Sequence, residues 1–234
     1  MTLTTQTGIP ADTPVDAPID ALRPLRDFVT RMTVLVAQDL PEAALLPQVS
    51  ALMAQLVSRD DWLPEAFTQP GHSSYAQHLL HCDPLERFSL VSFVWGPGQH
   101  TPVHNHTVWG VIGMLRGAET CEEYAPTPNG VQPLHHTHTL TAGDTEAVSP
   151  TVGDWHRVGN ALADRSSISI HVYGGNIGAV VRSKLDDDGV EQPFVSGYSG
   201  TVVPNLWDRS AQVRPAVRDT AQPVAAKTLR QAVR

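Results

Sequence analysis

The sequence predicts a mainly β protein: a sandwich or barrel of short antiparallel strands behind an N-terminal pair of helices. Three features point there. Between residues 85 and 182, Gly, Pro, Asn and Asp recur every eight to twelve residues, the rhythm of turns between short strands. Residues 88–95 are rich in β-branched and aromatic side chains, which suit a pleated surface. Over residues 21–58 the apolar positions instead follow helical spacing.

In chain order, residues 1–20 read as a polar, Pro- and Thr-rich leader without the basic and apolar regions of a secretory signal. Leu22, Leu25, Phe28, Val29, Met32, Leu35 and Val36 form one helical stripe; Leu45, Val49, Leu52, Met53 and Leu56 form a second. Pro24 and Pro41 suit early helical positions, and a third short helix is expected near 64–67. The β region follows, at about 85–182. Residues 183–205 read as loops with one strand-like piece at 194–198. One domain over 21–205 is the expected organisation. A tail over 206–234 carries six Lys/Arg against two Asp and reads as a solvated end.

Composition narrows the function. The 234 residues carry 16 Lys+Arg against 24 Asp+Glu, a net charge of -8. That balance argues against a nucleic-acid or anionic-membrane partner. There is no run of about 18 apolar residues to span a membrane. Two cysteines, Cys82 and Cys121, make no disulfide framework, so a cytoplasmic setting is expected. The unusual count is 11 histidines, the commonest metal ligand.

The strongest motif is Gly98, five residues, His104-Asn105-His106, three residues, Gly110, six residues, Gly117. On a strand, positions 104 and 106 share a face, which makes a preformed half of a metal site. A second segment has Gly143, Pro150, Gly153, Asp154, Trp155, His156 and Asn160. Together the two segments resemble the two cupin motifs, which place three histidines on the strands of a small β-barrel or jelly roll. The second is one residue longer than the pattern between Gly143 and Pro150. Many cupins carry a ligating glutamate where this chain has Gly110. The match therefore leaves three neutral ligands, His104, His106 and His156. Such a set favours an anionic exogenous ligand and suits iron, copper, zinc or nickel.

In Ser169-Ile170-His171-Val172-Tyr173, polar and β-branched residues alternate, so Ser169, His171 and Tyr173 share one face. Two readings stand: a strand with a wet outer face, or a hydroxyl–imidazole–hydroxyl relay aimed at the metal.

Over about residues 72–207 the chain resembles the thiol dioxygenases of the cysteine dioxygenase type. His104-Asn105-His106 matches that family's first iron-ligand pair, although the family usually has Asp at the middle position. His156-Arg157-Val158 with Asn160 matches the segment of the third ligand, and Ser169, His171 and Tyr173 match its relay. Within the family it looks closest to the bacterial branch that includes 3-mercaptopropionate dioxygenases. The stretches that carry this are Thr101-Pro102-Val103-His104, Thr107-Val108-Trp109-Gly110, residues 114–119 and residues 174–180. Mammalian-type members hold the substrate carboxylate with an arginine two residues after a tyrosine. Here Tyr75 is followed by Ala76 and Gln77, and the bacterial branch's arginine maps onto Arg182. The cysteine that crosslinks to the relay tyrosine in mammalian-type members has no counterpart at residues 110–112, and Cys121 lies in the next segment.

The resemblance implies ferrous iron on His104, His106 and His156, and a relay of Ser169, His171 and Tyr173. It implies Gln77, Arg182 and Tyr75 at the substrate, with a small thiol and dioxygen as partners and a sulfinic acid as product. Two other classes stay open: a cupin metalloenzyme acting on a non-thiol substrate, and a metal-binding cupin without turnover. His135, His136 and His138 read as surface residues on a mid-barrel strand or loop, with no later histidine at motif spacing. His72 and His78 are placed near the pocket entrance beside Gln77.

Overall fold

The computed structural model describes residues 22–200, together with Arg214 and Val217. The expected leader lies outside the described residues, as does the tail apart from those two positions. Two helices lead the fold, α1 over Arg23–Val36 and α2 over Glu42–Val57. Pro24 occupies the first turn of α1, where its missing N–H costs nothing, and Pro41 is the residue that caps α2. The third helical piece is a single 3-10 turn at Glu65–Phe67. No described helix is long and apolar enough to cross a membrane.

Ten strands follow: β1 Ala76–Cys82, β2 Ser89–Trp95, β3 Gly110–Arg116, β4 Ala118–Thr127, β5 Gly130–Thr141, β6 Thr145–Val148, β7 Trp155–Asn160, β8 Ser167–Tyr173, β9 Arg182–Leu185 and β10 Glu191–Phe194. They form a five-stranded antiparallel sheet in the order β1-β2-β8-β3-β6, a three-stranded sheet β5-β4-β7 and a β9–β10 hairpin. The β region therefore begins at Ala76, before the expected boundary at 85. Sequence inspection passes over β1 because Gln77, His78 and His81 break its apolar signal. The strand-like piece expected at 194–198 ends at Phe194 and extends backwards to Glu191.

Strand alternation divides the core. Leu90 and Val94 of β2, Val111 and Leu115 of β3, and Ile168, Ile170 and Val172 of β8 pack with Met32, Val49, Leu52 and Met53 of the helices. The helices thus cover the outer face of the larger sheet. Odd-numbered residues of β2 and β8 point the other way. Val91, Phe93, Trp95 and Tyr173 meet Cys121 and Val158 of the smaller sheet. Every residue of β8 is buried, so the Ser169, His171, Tyr173 face lies inside the sandwich and the wet-face reading is set aside.

Candidate metal centre

The His104–His106 segment is not a regular strand, as its spacing predicts, but an extended link held on both sides. His104 and His156 exchange backbone hydrogen bonds at 2.9 and 3.0 Å, which ties the segment to β7. On the other side, the Asn105 N–H donates to Ser183 O at 3.0 Å and Leu185 N–H to Val103 O at 2.8 Å, which ties it to β9. Asn105 points away from the cluster, and its Oδ1 accepts the Ser183 N–H at 2.8 Å. An amide fills this position as well as a carboxylate, because only an acceptor is required.

His104, His106 and His156 converge, with ring centroids 4.8 to 5.0 Å apart. All three are buried, with one donor atom from each inside a 4.8 Å group. Each Nδ1 is already engaged. That of His104 donates to Pro102 O at 3.1 Å, that of His106 to Asp154 Oδ1 at 2.9 Å, and that of His156 lies 3.6 Å from Cys121 Sγ. The carbonyl and carboxylate contacts fix the tautomer of His104 and His106 and leave their Nε2 lone pairs for the cavity. Burial, reinforced by the neighbouring imidazoles, pushes His104 and His106 far below the ordinary histidine range. Burial brings His156 down to about 4. All three are neutral at physiological pH, the protonation state a metal requires. The donor set fits a divalent transition metal with open positions.

Asp154 is the support that sequence reading leaves without a role. Its Oδ1 takes the His106 N–H and Nδ1–H, and its Oδ2 takes the Thr107 N–H, each at 2.9 Å. Thr107 sits at φ 60°, costly for a β-branched residue, and Asp154 holds that turn directly behind a ligand. It lies two residues before His156, and a single carboxylate at that spacing carries no pattern of its own.

The relay residues sit in line. Ser169 Oγ lies 2.7 Å from His171 Nε2, and His171 Nδ1 lies 2.8 Å from Tyr173 OH. Burial pushes His171 down to about 3 and raises the Tyr173 phenol well above its usual value. The Tyr173 ring stacks on His106 at 5.4 Å. A Cβ at Gly110 would fall 2.8 Å from Tyr173 Cδ1. The absent side chain at 110 is thus what lets the phenol lie against β3 and beside the cluster.

Gln77 and Arg182 also meet. Gln77 Nε2 donates to Ser196 Oγ at 3.0 Å, and Arg182 Nη2 donates to the same oxygen at 2.7 Å. Arg182 is only 4% exposed, its guanidinium lies 4.6 Å above the Phe194 ring, and its Nε has no hydrogen-bond partner among the described residues. Tyr75, Gln77, Phe93, Trp95, the three clustered histidines, His171, Tyr173, Arg182 and Phe194 line one small cavity of about 30 Å³. No Asp or Glu is among its lining residues.

His72 and His78 do not line it. His72 is exposed, and His78 turns outward, with Nε2 3.0 Å from Gln69 O. Cys121 is buried and unpaired by any disulfide. On β5, His136 is hydrogen-bonded to Glu123 at 2.9 Å, while His138 lies 3.5 Å from Glu123 and 3.1 Å from Glu146 of β6 in the larger sheet.

Three neutral imidazoles held between two sheets, with a polar relay and a buried cation on the same cavity, define a metal-dependent enzyme on a cupin-type β fold. A family model for cysteine dioxygenase type I matches residues 16–182, well over half the chain. The chain belongs to that family, and with it to the dioxygenases of thiols. Solved structures similar to the chain include an RmlC-like cupin protein from Ralstonia eutropha, at 15% identity over 68% of this chain and 83% of that one, TM-score 0.40. A cupin domain from Bordetella pertussis is 20% identical over 45% and 97%, TM-score 0.32. A double-stranded β-helix protein from Klebsiella pneumoniae is 17% identical over 47% and 84%, TM-score 0.38. Likeness at this level is too low to carry chemistry across.

Proposed function

We propose that this chain is an iron-dependent thiol dioxygenase whose substrate is a small mercapto-carboxylate such as 3-mercaptopropionate or mercaptosuccinate, in preference to L-cysteine. The observation that carries the reading is Arg182: a buried guanidinium whose Nε has no partner among the described residues, in a cavity whose described lining has no acidic side chain. A buried cation without a counter-ion is costly, and a substrate carboxylate supplies one. An amine would find no acidic partner there, which favours a thiol acid without one.

His104, His106 and His156 would hold the ion. The chemistry supplied by a bound ferrous ion is acidification of the substrate thiol and delivery of dioxygen to sulfur. The chain does the rest. Three uncharged ligands leave the positive charge of the centre to be met by the thiolate. Arg182 and Gln77, braced on Ser196, fix the carboxylate end, and the small size of the cavity favours a short carbon chain. Tyr173 presents its hydroxyl beside His106, oriented by His171. Phe93, Trp95 and Phe194 keep the site dry, which strengthens each of these contacts. In the overall reaction both atoms of one dioxygen are added to one sulfur, giving a sulfinic acid with no organic cofactor.

Oxygen uptake and sulfinate formation by the iron-loaded chain, compared across 3-mercaptopropionate, mercaptosuccinate and L-cysteine, test the proposal. The expected order of kcat/KM puts a mercapto-carboxylate first. L-cysteine in first place overturns the substrate assignment, and absence of sulfinate from all three overturns the dioxygenase assignment.

A further inference from the structure

Beyond Ser169, the relay continues to a residue with no place in the chemistry described above. Glu119 of β4 is 1% exposed, and its Oε1 is hydrogen-bonded to Ser169 Oγ. The Trp95 Nε1–H donates to the same Ser169 oxygen at 3.1 Å. Ser169 Oγ therefore has three polar neighbours and a single hydrogen to give. Because Trp95 can only donate, that hydrogen goes either to Glu119 or to His171.

Each choice fixes every bond downstream. With Glu119 ionised, Ser169 donates to the carboxylate and accepts from His171 Nε2–H. His171 Nδ1 is then bare, and the Tyr173 O–H donates back to it. With Glu119 protonated, its O–H donates to Ser169, Ser169 donates to His171 Nε2, and His171 Nδ1–H donates to the phenol oxygen. The Tyr173 hydrogen is then released toward the cavity. No intermediate arrangement satisfies all the buried groups.

We propose that Glu119 is a positioning residue whose protonation state sets the direction of this chain, and so decides whether the Tyr173 hydroxyl donates into the three-histidine cavity or only accepts from it. The inference rests on the reading that the phenol meets the substrate. Conversion of a thiolate to a sulfinate adds two oxygens and no proton, so the chain orients a donor and does not feed protons to the reaction.

The surroundings allow both states. Burial pushes the Glu119 carboxyl up to about 7, against the lowering effect of Ser169 and the Trp95 indole. Glu146 on β6 is the charged neighbour that adds to the rise. The facing residues of β8 are Ser169 and His171, and burial holds the imidazole neutral, so it changes tautomer and not charge. The register partners of Glu119 on β5 and β7, Leu140 and Asn160, are uncharged. Along β4, burial keeps Cys121 a thiol.

The His171 tautomer reports the direction without turnover. The full chain, supplied with diamagnetic Zn2+ and carrying 15N-labelled histidine, is followed by NMR across a pH range centred on 7, with His171→Gln to assign the signal. The expected result is Nδ1–H at low pH and Nε2–H at high pH, with the midpoint near the Glu119 value of about 7. Glu119→Gln should hold one tautomer throughout. In the iron-loaded chain, kcat should fall as pH rises through the same midpoint, and this step should vanish in Glu119→Gln with KM for the thiol changed less than about twofold. Should Glu119→Gln fail to fold, Ser169→Ala cuts the link while leaving the carboxyl in place, and His171 should again stop following pH. A wild-type tautomer that is constant across the range, or one that titrates unchanged in both variants, overturns the proposal. The zinc readout stands whether or not any thiol is oxidised, so its failure is distinct from failure of the dioxygenase reading.

Discussion

The two main sheets are built differently. The five-stranded sheet is covered twice, by the helices outside and the site inside, and its β2 and β8 are buried at every position. The three-stranded sheet is covered once, and β5 is open to solvent along most of its length. Groups that need a fixed line, Ser169, His171 and Tyr173, stand on the doubly covered β8. His156 stands on the thinner sheet, and polar contacts make good the missing packing: the paired backbone bonds to His104 and the Cys121 contact. One half of the centre is rigid through apolar packing, the other through hydrogen bonds.

The comparison breaks most completely at His156. His156→Ala leaves two imidazoles on the stiff link and none on the thin sheet, too few for a stable open centre. Metal analysis should show loss of the bound ion and turnover should be abolished; full occupancy would mean that the thin sheet holds no ligand.

Acid should come next. Unfolded histidines titrate near 6.5, whereas folded His156 and His171 titrate at about 4 and about 3. Between these limits the unfolded state binds more protons, so stability falls as pH drops. The unfolding free energy of the metal-free protein should therefore decline below pH 6.5 by up to about 1.4 kcal/mol per pH unit for each histidine. Glu119 offsets one such contribution, because the folded chain keeps its proton up to about 7. A profile that is flat down to pH 4 would show that the imidazoles are not buried as described.

A charge-assisted contact is worth about 1.5–3 kcal/mol, so Arg182→Ala should lower kcat/KM for a mercapto-carboxylate by roughly ten- to a hundredfold. Equal kinetics in the variant would remove Arg182 as the anchor.

The smallest effects test the cover itself. At Gly113 of β3, a new Cβ would lie 2.5 Å from Met53 Cγ and 2.9 Å from Val57 Cγ1. Gly113→Ala should therefore cost about 1–3 kcal/mol through overpacking against α2. His136→Ala on open β5, where the side chain is 62% exposed, should stay within about 0.5 kcal/mol. Thermal unfolding of the pair checks the contrast, and equal losses would erase it.

Legibility followed the same division. The helices and β8 were readable because their buried faces follow a clean period, 3.6 or 2. The convergence of the three histidines and the alignment of Ser169, His171 and Tyr173 were readable from the motif spacing and the strand period. β1 was not, because Gln77, His78 and His81 interrupt its apolar signal although Gln77 and His78 are buried. The His104–His106 link resembled a strand because both ring positions face one way, yet cross-bridges to β7 and β9 hold it rather than a ladder of its own. Asp154 and Glu119 were missed for a common reason: each acts through another side chain, on a strand distant in sequence, and a lone carboxylate carries no pattern.

Gly110 has a consequence for any attempt to redesign this centre. The Tyr173 ring occupies the volume that a side chain at 110 would need, so backbone and phenol fit as a key fits its slot. A carboxylate installed there would press on the ring beside His106. The number of protein donors and the placement of the phenol are thus one mechanical variable, and a version of this enzyme with a fourth ligand at 110 must first make room against Tyr173.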